Sequence, residues 1–89
     1  MYEISNRTRK IARALGYEVY PSNVGFKKIA VFRRGVKIAD VGDRRYKDYH
    51  QYRKIDLELA EKKRRAYAAR HRQDIKRGRG RLAWLLLWN

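Results

Sequence analysis

Two histidines, nine carboxylates and no cysteine bound the chemistry open to this 89-residue chain. Without cysteine there is no thiol nucleophile, no disulfide and no thiolate metal ligand, and nothing argues for an oxidising compartment. A zinc site on His50 and His71 would need carboxylates to complete it, at a spacing that suits no structural zinc motif. Asp43, Asp48 and Asp56 are the side chains a nuclease would use to hold a divalent metal. They are interspersed with Arg44, Arg45, Lys47, Arg53, Lys54 and, further on, Lys62, which pair with them at less cost. Ser5 and Ser22 have no local base, and neither a phosphate loop nor a dinucleotide fingerprint occurs. His71, between Arg70 and Arg72, reads as a helix-surface histidine held by a tyrosine or carboxylate rather than as a general acid. The expectation is a protein with no catalytic residues, no metal, no cofactor and no small-molecule substrate.

What the chain has in abundance is positive charge and aromatic rings. Lysine and arginine number 24 against 9 acidic residues, a formal charge of +15. Self-repulsion of that size works against compaction and favours polyanions or acidic protein surfaces as partners. Residues 1–43 carry nine basic and four acidic groups, whereas 44–89 carry fifteen and five, which puts the expected binding surface on the second part. The candidates for contact with a polyanion or partner are Lys62, Lys63, Arg64, Arg65, Arg70, Arg72, Lys76, Arg77, Arg79 and Arg81. The aromatic candidates for packing or an interface are Tyr46, Tyr49, Tyr52, Tyr67, Trp84 and Trp88. Tyr46, Tyr49 and Tyr52 recur every third position, which aligns them along one side of a helical turn or two. Packing over a sheet is favoured for them over stacking on bases.

The elements that must position these groups follow from local signals. Ser5 or Asn6 caps a first helix with Ile4, Ile11, Ala12 and Leu15 on one face, Arg7, Arg9, Lys10 and Arg13 on the other, and Gly16 at its end. Residues 17–20 read as a strand. Residues 26–33 and 36–41 read as a β-hairpin turning at Arg34-Gly35, where Gly35 supplies the positive φ of a tight turn. Asp43 is placed to cap a short helical turn through Tyr46. Asp56 is placed to cap the main helix, running to Ile75, with Glu58 and Glu61 near its positive end and Arg70, Arg72 and Lys76 near its negative end. Lys62 to Arg65 are four consecutive charges that point all round that helix, and its apolar stripe (Leu59, Ala60, Ala66, Tyr67, His71) is narrow. Residues 76–81, KRGRGR, read as a flexible basic linker. The fold class expected is α+β: a short N-terminal helix, a small antiparallel sheet with a β-hairpin, a long basic helix and a short apolar C-terminal helix. Residues 1–43 and 44–89 form two segments of one domain.

The terminus LAWLLLWN is too apolar to stay bare in water. It either folds back on the hairpin sheet and the tyrosines, the favoured reading, or docks in another subunit. It falls well short of the roughly 18–20 residues that span a bilayer. The start, MYEISNRTRK, lacks the apolar core of a signal peptide. An intracellular, soluble or assembly-bound protein is expected.

One resemblance runs through most of these residues. Lys27-Lys28-Ile29-Ala30-Val31, Gly35-Val36-Lys37-Ile38-Ala39, Gly42-Asp43, Tyr46-Lys47-Asp48-Tyr49 and Tyr52 are followed by Ala60, Lys63-Arg64-Arg65, Tyr67 and Arg70-His71. With the terminal Ala83, Leu87 and Trp88, this succession resembles a family of small uncharacterised basic proteins of large double-stranded DNA viruses of eukaryotes and of some phages. The chain departs from that pattern in being shorter around Arg53–Leu57 and in carrying RGRGR before the terminus. The resemblance implies a virion protein and brings no catalytic residues with it. The function expected is a non-enzymatic minor structural protein of a virus particle, in a minor-capsid, cement or internal position. It would bind capsid or other virion proteins with its basic surface, use Trp84 and Trp88 as an anchor, and meet the packaged genome. The alternative is a sequence-independent protein that binds and condenses double-stranded DNA through its phosphates.

Overall fold

The structure, a computed structural model, describes residues 2–89. The fold is α+β, with four α-helices and a three-stranded antiparallel sheet among the described residues. The chain divides into two compact units, Met1–Tyr46 and Lys47–Asn89, so the boundary falls three residues beyond the one expected.

In the first unit α1 spans Asn6–Leu15. Ser5 Oγ accepts from the Thr8 amide at 3.0 Å and so satisfies one of the helix's unpaired N–H groups. At the far end Gly16 takes φ 81°, and the Tyr17 amide reaches back to the Ala12 carbonyl at 2.8 Å. This left-handed cap is one a β-carbon would disfavour. Thr8 and Ala12 are buried on α1, while Arg9, Lys10 and Arg13 stand in solvent on the opposite arc.

Strands β1 (Glu18–Pro21), β2 (Ile29–Arg33) and β3 (Val36–Val41) lie in sequence order. Val19, Val31 and Ala39 are in register across the sheet, as are Pro21, Ile29 and Val41. Residues 26–28 are not part of β2 as expected, because the chain loops there and Lys27 donates to the Val24 carbonyl at 2.9 Å. At the hairpin both Arg34 (φ 53°) and Gly35 (φ 78°) are left-handed, the pair of conformations that matches strand twist in a two-residue turn. Glu18 Oε1 accepts from the Gly35 amide and braces that turn.

A bulge interrupts the regular pairing of β3: Val31 faces Ala39 but Phe32 faces Lys37, leaving Ile38 as the extra residue. Residues three apart on a regular strand point to opposite faces. Here Lys37 and Asp40 meet at 2.7 Å, and Asp40 also accepts from Ser22 Oγ at 2.7 Å. Val36 and Ile38 consequently remain exposed, while Ala39 and Val41 are buried.

The second unit is helical. Asp48 starts the first helix, α2 (Tyr49–Ile55), while Asp43 caps only the turn through Tyr46 that closes the first unit. The Asp48 carboxylate accepts from the Gln51 amide at 3.0 Å, and the Gln51 side chain accepts from the Asp48 amide at 2.9 Å. Helix α3 (Leu57–Arg70) starts at the expected Asp56, which accepts from the amides of Glu58 and Leu59. It stops five residues before Ile75. His71 caps it, Asp74 sits 3.2 Å from the His71 ring, and a 3₁₀ turn covers Asp74–Lys76.

The RGRGR segment is not a linker. It forms the first turn of α4 (Gly78–Leu87). Its two glycines have structural reasons. Gly78 holds φ 65°, and a β-carbon on Gly80 would overlap the Asp74 carbonyl oxygen and lie 2.6 Å from its carbon. Only a residue without a side chain lets α4 lie so close to the 3₁₀ turn.

Candidate polyanion-binding surface

On α3 the four consecutive charges separate by environment. Lys62, Lys63 and Arg65 are exposed, as is Arg70 at the helix end. Lys63 Nζ lies 5.7 Å from the Tyr52 ring centre, and the side chains of Lys62, Arg65 and Arg70 form no hydrogen bond or ion pair with a described residue. Arg64 is turned inward. Its guanidinium donates to Asn89 Oδ1 at 3.0 Å, lies 4.0 Å from Glu61 Oε2, and sits over the rings of Tyr49 (5.3 Å) and Trp84 (5.6 Å). The planar, weakly hydrated guanidinium suits such a place between rings. Its position gives Arg64 a task within its own unit rather than toward a partner.

Aromatic packing continues from there. The Tyr67 ring lies 4.2 Å from that of Trp88 at 15° and 4.3 Å from that of His71 at 31°, and Trp84 is parallel to it at 6.2 Å. Burial, with help from Asp74 and against Arg70, raises the Tyr67 hydroxyl pKa above that of an ordinary tyrosine. Asn89 Nδ2 donates to the Trp84 carbonyl at 2.7 Å, so the chain end is tied to both α4 and Arg64. Tyr49 is buried and its hydroxyl donates to Glu61 Oε1 at 2.6 Å. The tryptophan terminus therefore folds back within its own unit, onto Tyr67. Tyr46, Tyr49 and Tyr52 do not share one helical side, because Tyr46 precedes α2 and is exposed in the turn after β3.

Past α3, Arg72, Lys76, Arg77, Arg79 and Arg81 are all exposed and make no ion pair with a described residue. Arg77 precedes α4 without a side-chain cap, and no acidic residue occupies the first turn of that helix. Cations at the positive end of a helix dipole are unfavourable, and a bound anion relieves that.

Counted by structural unit, the charge is more even than the sequence segments suggested. Residues 1–46 carry eleven basic and four acidic groups, a net of +7, and residues 47–89 carry thirteen and five, a net of +8. Three of the four acids in the first unit are engaged within it: Glu18 with the Gly35 amide, Asp40 with Lys37 and Ser22, and Asp43 with Arg45. The side chains of Arg9, Lys10, Arg13, Lys27 and Arg34 remain exposed there without a hydrogen-bond or ion-pair partner among the described residues. The clean split of α1 into an apolar and a basic face was the signal for this second cationic surface.

Among the described residues no cluster of His, Asp or Glu could hold a metal ion, and no helix is long and apolar enough to cross a membrane. No protein-family model, curated protein or solved structure matches this chain.

Proposed function

We propose that this chain binds nucleic acid by neutralising phosphates, without reading sequence, as an internal protein of a virus particle. One observation carries the binding: Lys62, Arg65, Arg70, Arg72, Lys76, Arg77, Arg79 and Arg81 are exposed and take no acidic partner from the chain's described residues. Lysine and arginine left in water at this density release counterions from a phosphate backbone and bind strongly at low salt. The virion setting is supported by the resemblance of the Gly42-Asp43, Tyr46 to Tyr49 and Arg64 to His71 elements. Trp84 and Trp88 stack on Tyr67 within their own unit, which favours the basic surface over the tryptophans as the point of contact.

Its test is a variant with Arg65, Arg70 and Arg72 changed to glutamine, titrated with labelled duplex DNA over a range of salt. The slope of log affinity against log salt is expected to flatten by about 0.9 for each phosphate contact removed. An unchanged slope and affinity would contradict the assignment.

A second reading, docking on a capsid protein, is favoured by the exposed apolar side chains Val24, Val36 and Ile38 of the first unit. Binding of that kind resists salt, whereas phosphate neutralisation does not.

A further inference from the structure

Two loops of the first unit are clamped together beside the sheet. The Arg44 amide donates to the Phe26 carbonyl at 2.7 Å, and the Arg44 guanidinium donates to the Gly25 carbonyl. Next to it Arg45 lies over the Phe26 ring, 4.6 Å from its centre. Asp43 holds Arg45 there through three hydrogen bonds: from its amide (3.0 Å), Nε (3.0 Å) and Nη2 (2.8 Å). The Tyr46 amide closes the turn onto the Asp43 carbonyl at 3.1 Å. Phe26 is 58% exposed, Tyr46 69%, and the Arg45 side chain 59%, so the Arg45 guanidinium is held over Phe26 while all three planar groups are left in water.

We infer that Phe26, Arg45 and Tyr46 form a stacking platform for the unpaired bases of single-stranded nucleic acid. This rests on the phosphate-binding reading above and adds a base contact to it. Each observation points to that ligand. Arg45 has one face on Phe26 and is fixed by Asp43, so its remaining exposed surface is presented without further ordering of the side chain. Tyr46 offers a second ring nearby in sequence, free of any hydrogen bond from its hydroxyl to a described residue. Lys27, Arg44 and Arg45 outnumber Asp43, whose own charge is spent on Arg45, which leaves an excess of positive charge for phosphates. Rings and guanidinium planes stack on any base, and the faces they need are open only where bases are unpaired.

The experiment compares the full chain on a short oligothymidine and on an abasic strand of equal length and phosphate count. The wild type is expected to bind oligothymidine about tenfold more tightly or better. Tyr46→Ala, at an exposed site, and Phe26→Ala each bring the ratio toward one. Arg45→Lys also lowers the ratio, because the charge is kept and the plane is lost. Far-UV circular dichroism checks that each variant stays folded. A wild-type ratio of one, or a ratio unmoved in all three variants, overturns the platform even though salt-sensitive binding to the abasic strand survives. Absence of binding to either strand overturns the phosphate reading and the platform together.

Discussion

Gly80 and Asp43 show how single residues set local structure here. At Gly80 an added β-carbon meets the backbone of Asp74, which cannot swing aside as a flexible side chain would. Gly80→Ala is therefore expected to destabilise the protein by about 2 kcal/mol, read as a lower urea midpoint in circular dichroism. An unchanged midpoint would mean that α4 does not pack on the 3₁₀ turn this closely. Asp43 makes its prediction through pH. Hydrogen bonds from Arg45 hold its carboxyl at about 2, below the ordinary 3.8. Because the folded value is depressed, the pair's contribution is present above about pH 4 and is lost as pH falls toward 2. A carboxyl NMR titration should place the Asp43 midpoint near 2 in the wild type and closer to the ordinary value in Arg45→Ala; a wild-type midpoint near 3.8 would refute the clamp. The pairing of Asp43 with a neighbouring arginine was legible, because basic residues are interspersed with the aspartates, but the packing at Gly80 was not. Gly-Arg repeats suggest a flexible linker, and only the approach of a distant carbonyl shows that the glycines are there for packing. Arg64 was equally hidden, since nothing in four adjacent charges marks the one that turns toward rings.

At the level of elements, the caps carried most of the readable information. Ser5, Gly16 and Asp56 each sit where a helix starts or stops, because their side chains or φ angles satisfy groups the helix cannot satisfy itself. Removing the Asp56 carboxylate by Asp56→Ala should cost about 1 kcal/mol, seen as a lower thermal midpoint. No change would mean that the amides of Glu58 and Leu59 do not depend on it. The Asp48-x-x-Gln51 box stands in the sequence as a start signal for α2, separate from Asp43, which closes only the turn through Tyr46. The bulge at Ile38 left no such mark, because no residue type in 36–41 sets Ile38 apart from a regular strand position. Between α3 and α4 the ring of Tyr67 is the main tie to the terminus. Tyr67→Ala should move tryptophan emission to longer wavelength and cost about 2 kcal/mol, given two stacked partners and lost burial. Emission identical to the wild type would contradict the folded-back terminus.

On the scale of the whole chain, charge dominates. A net +15 divided as +7 and +8 repels itself within each unit as well as across the chain, and a polyanion binding the folded state offsets that repulsion. A short DNA duplex should therefore raise the thermal midpoint, and more at low salt than at high salt; an unmoved midpoint at low salt would count against binding to the folded state. The fold class could be read from periodicity and turn residues. The distribution of exposed charge could be read only in part, because segments drawn along the sequence assigned Arg44, Arg45 and Tyr46 to the second half, whereas they close the first unit. The central claim is phosphate neutralisation, and its most direct test is the affinity of the wild-type chain for duplex DNA at rising salt. If six or more phosphates are neutralised, affinity should fall about a thousandfold between 50 and 200 mM salt, linearly on logarithmic axes and alike for unrelated sequences. An affinity that holds steady across that range, or no binding at its low end, would contradict the account.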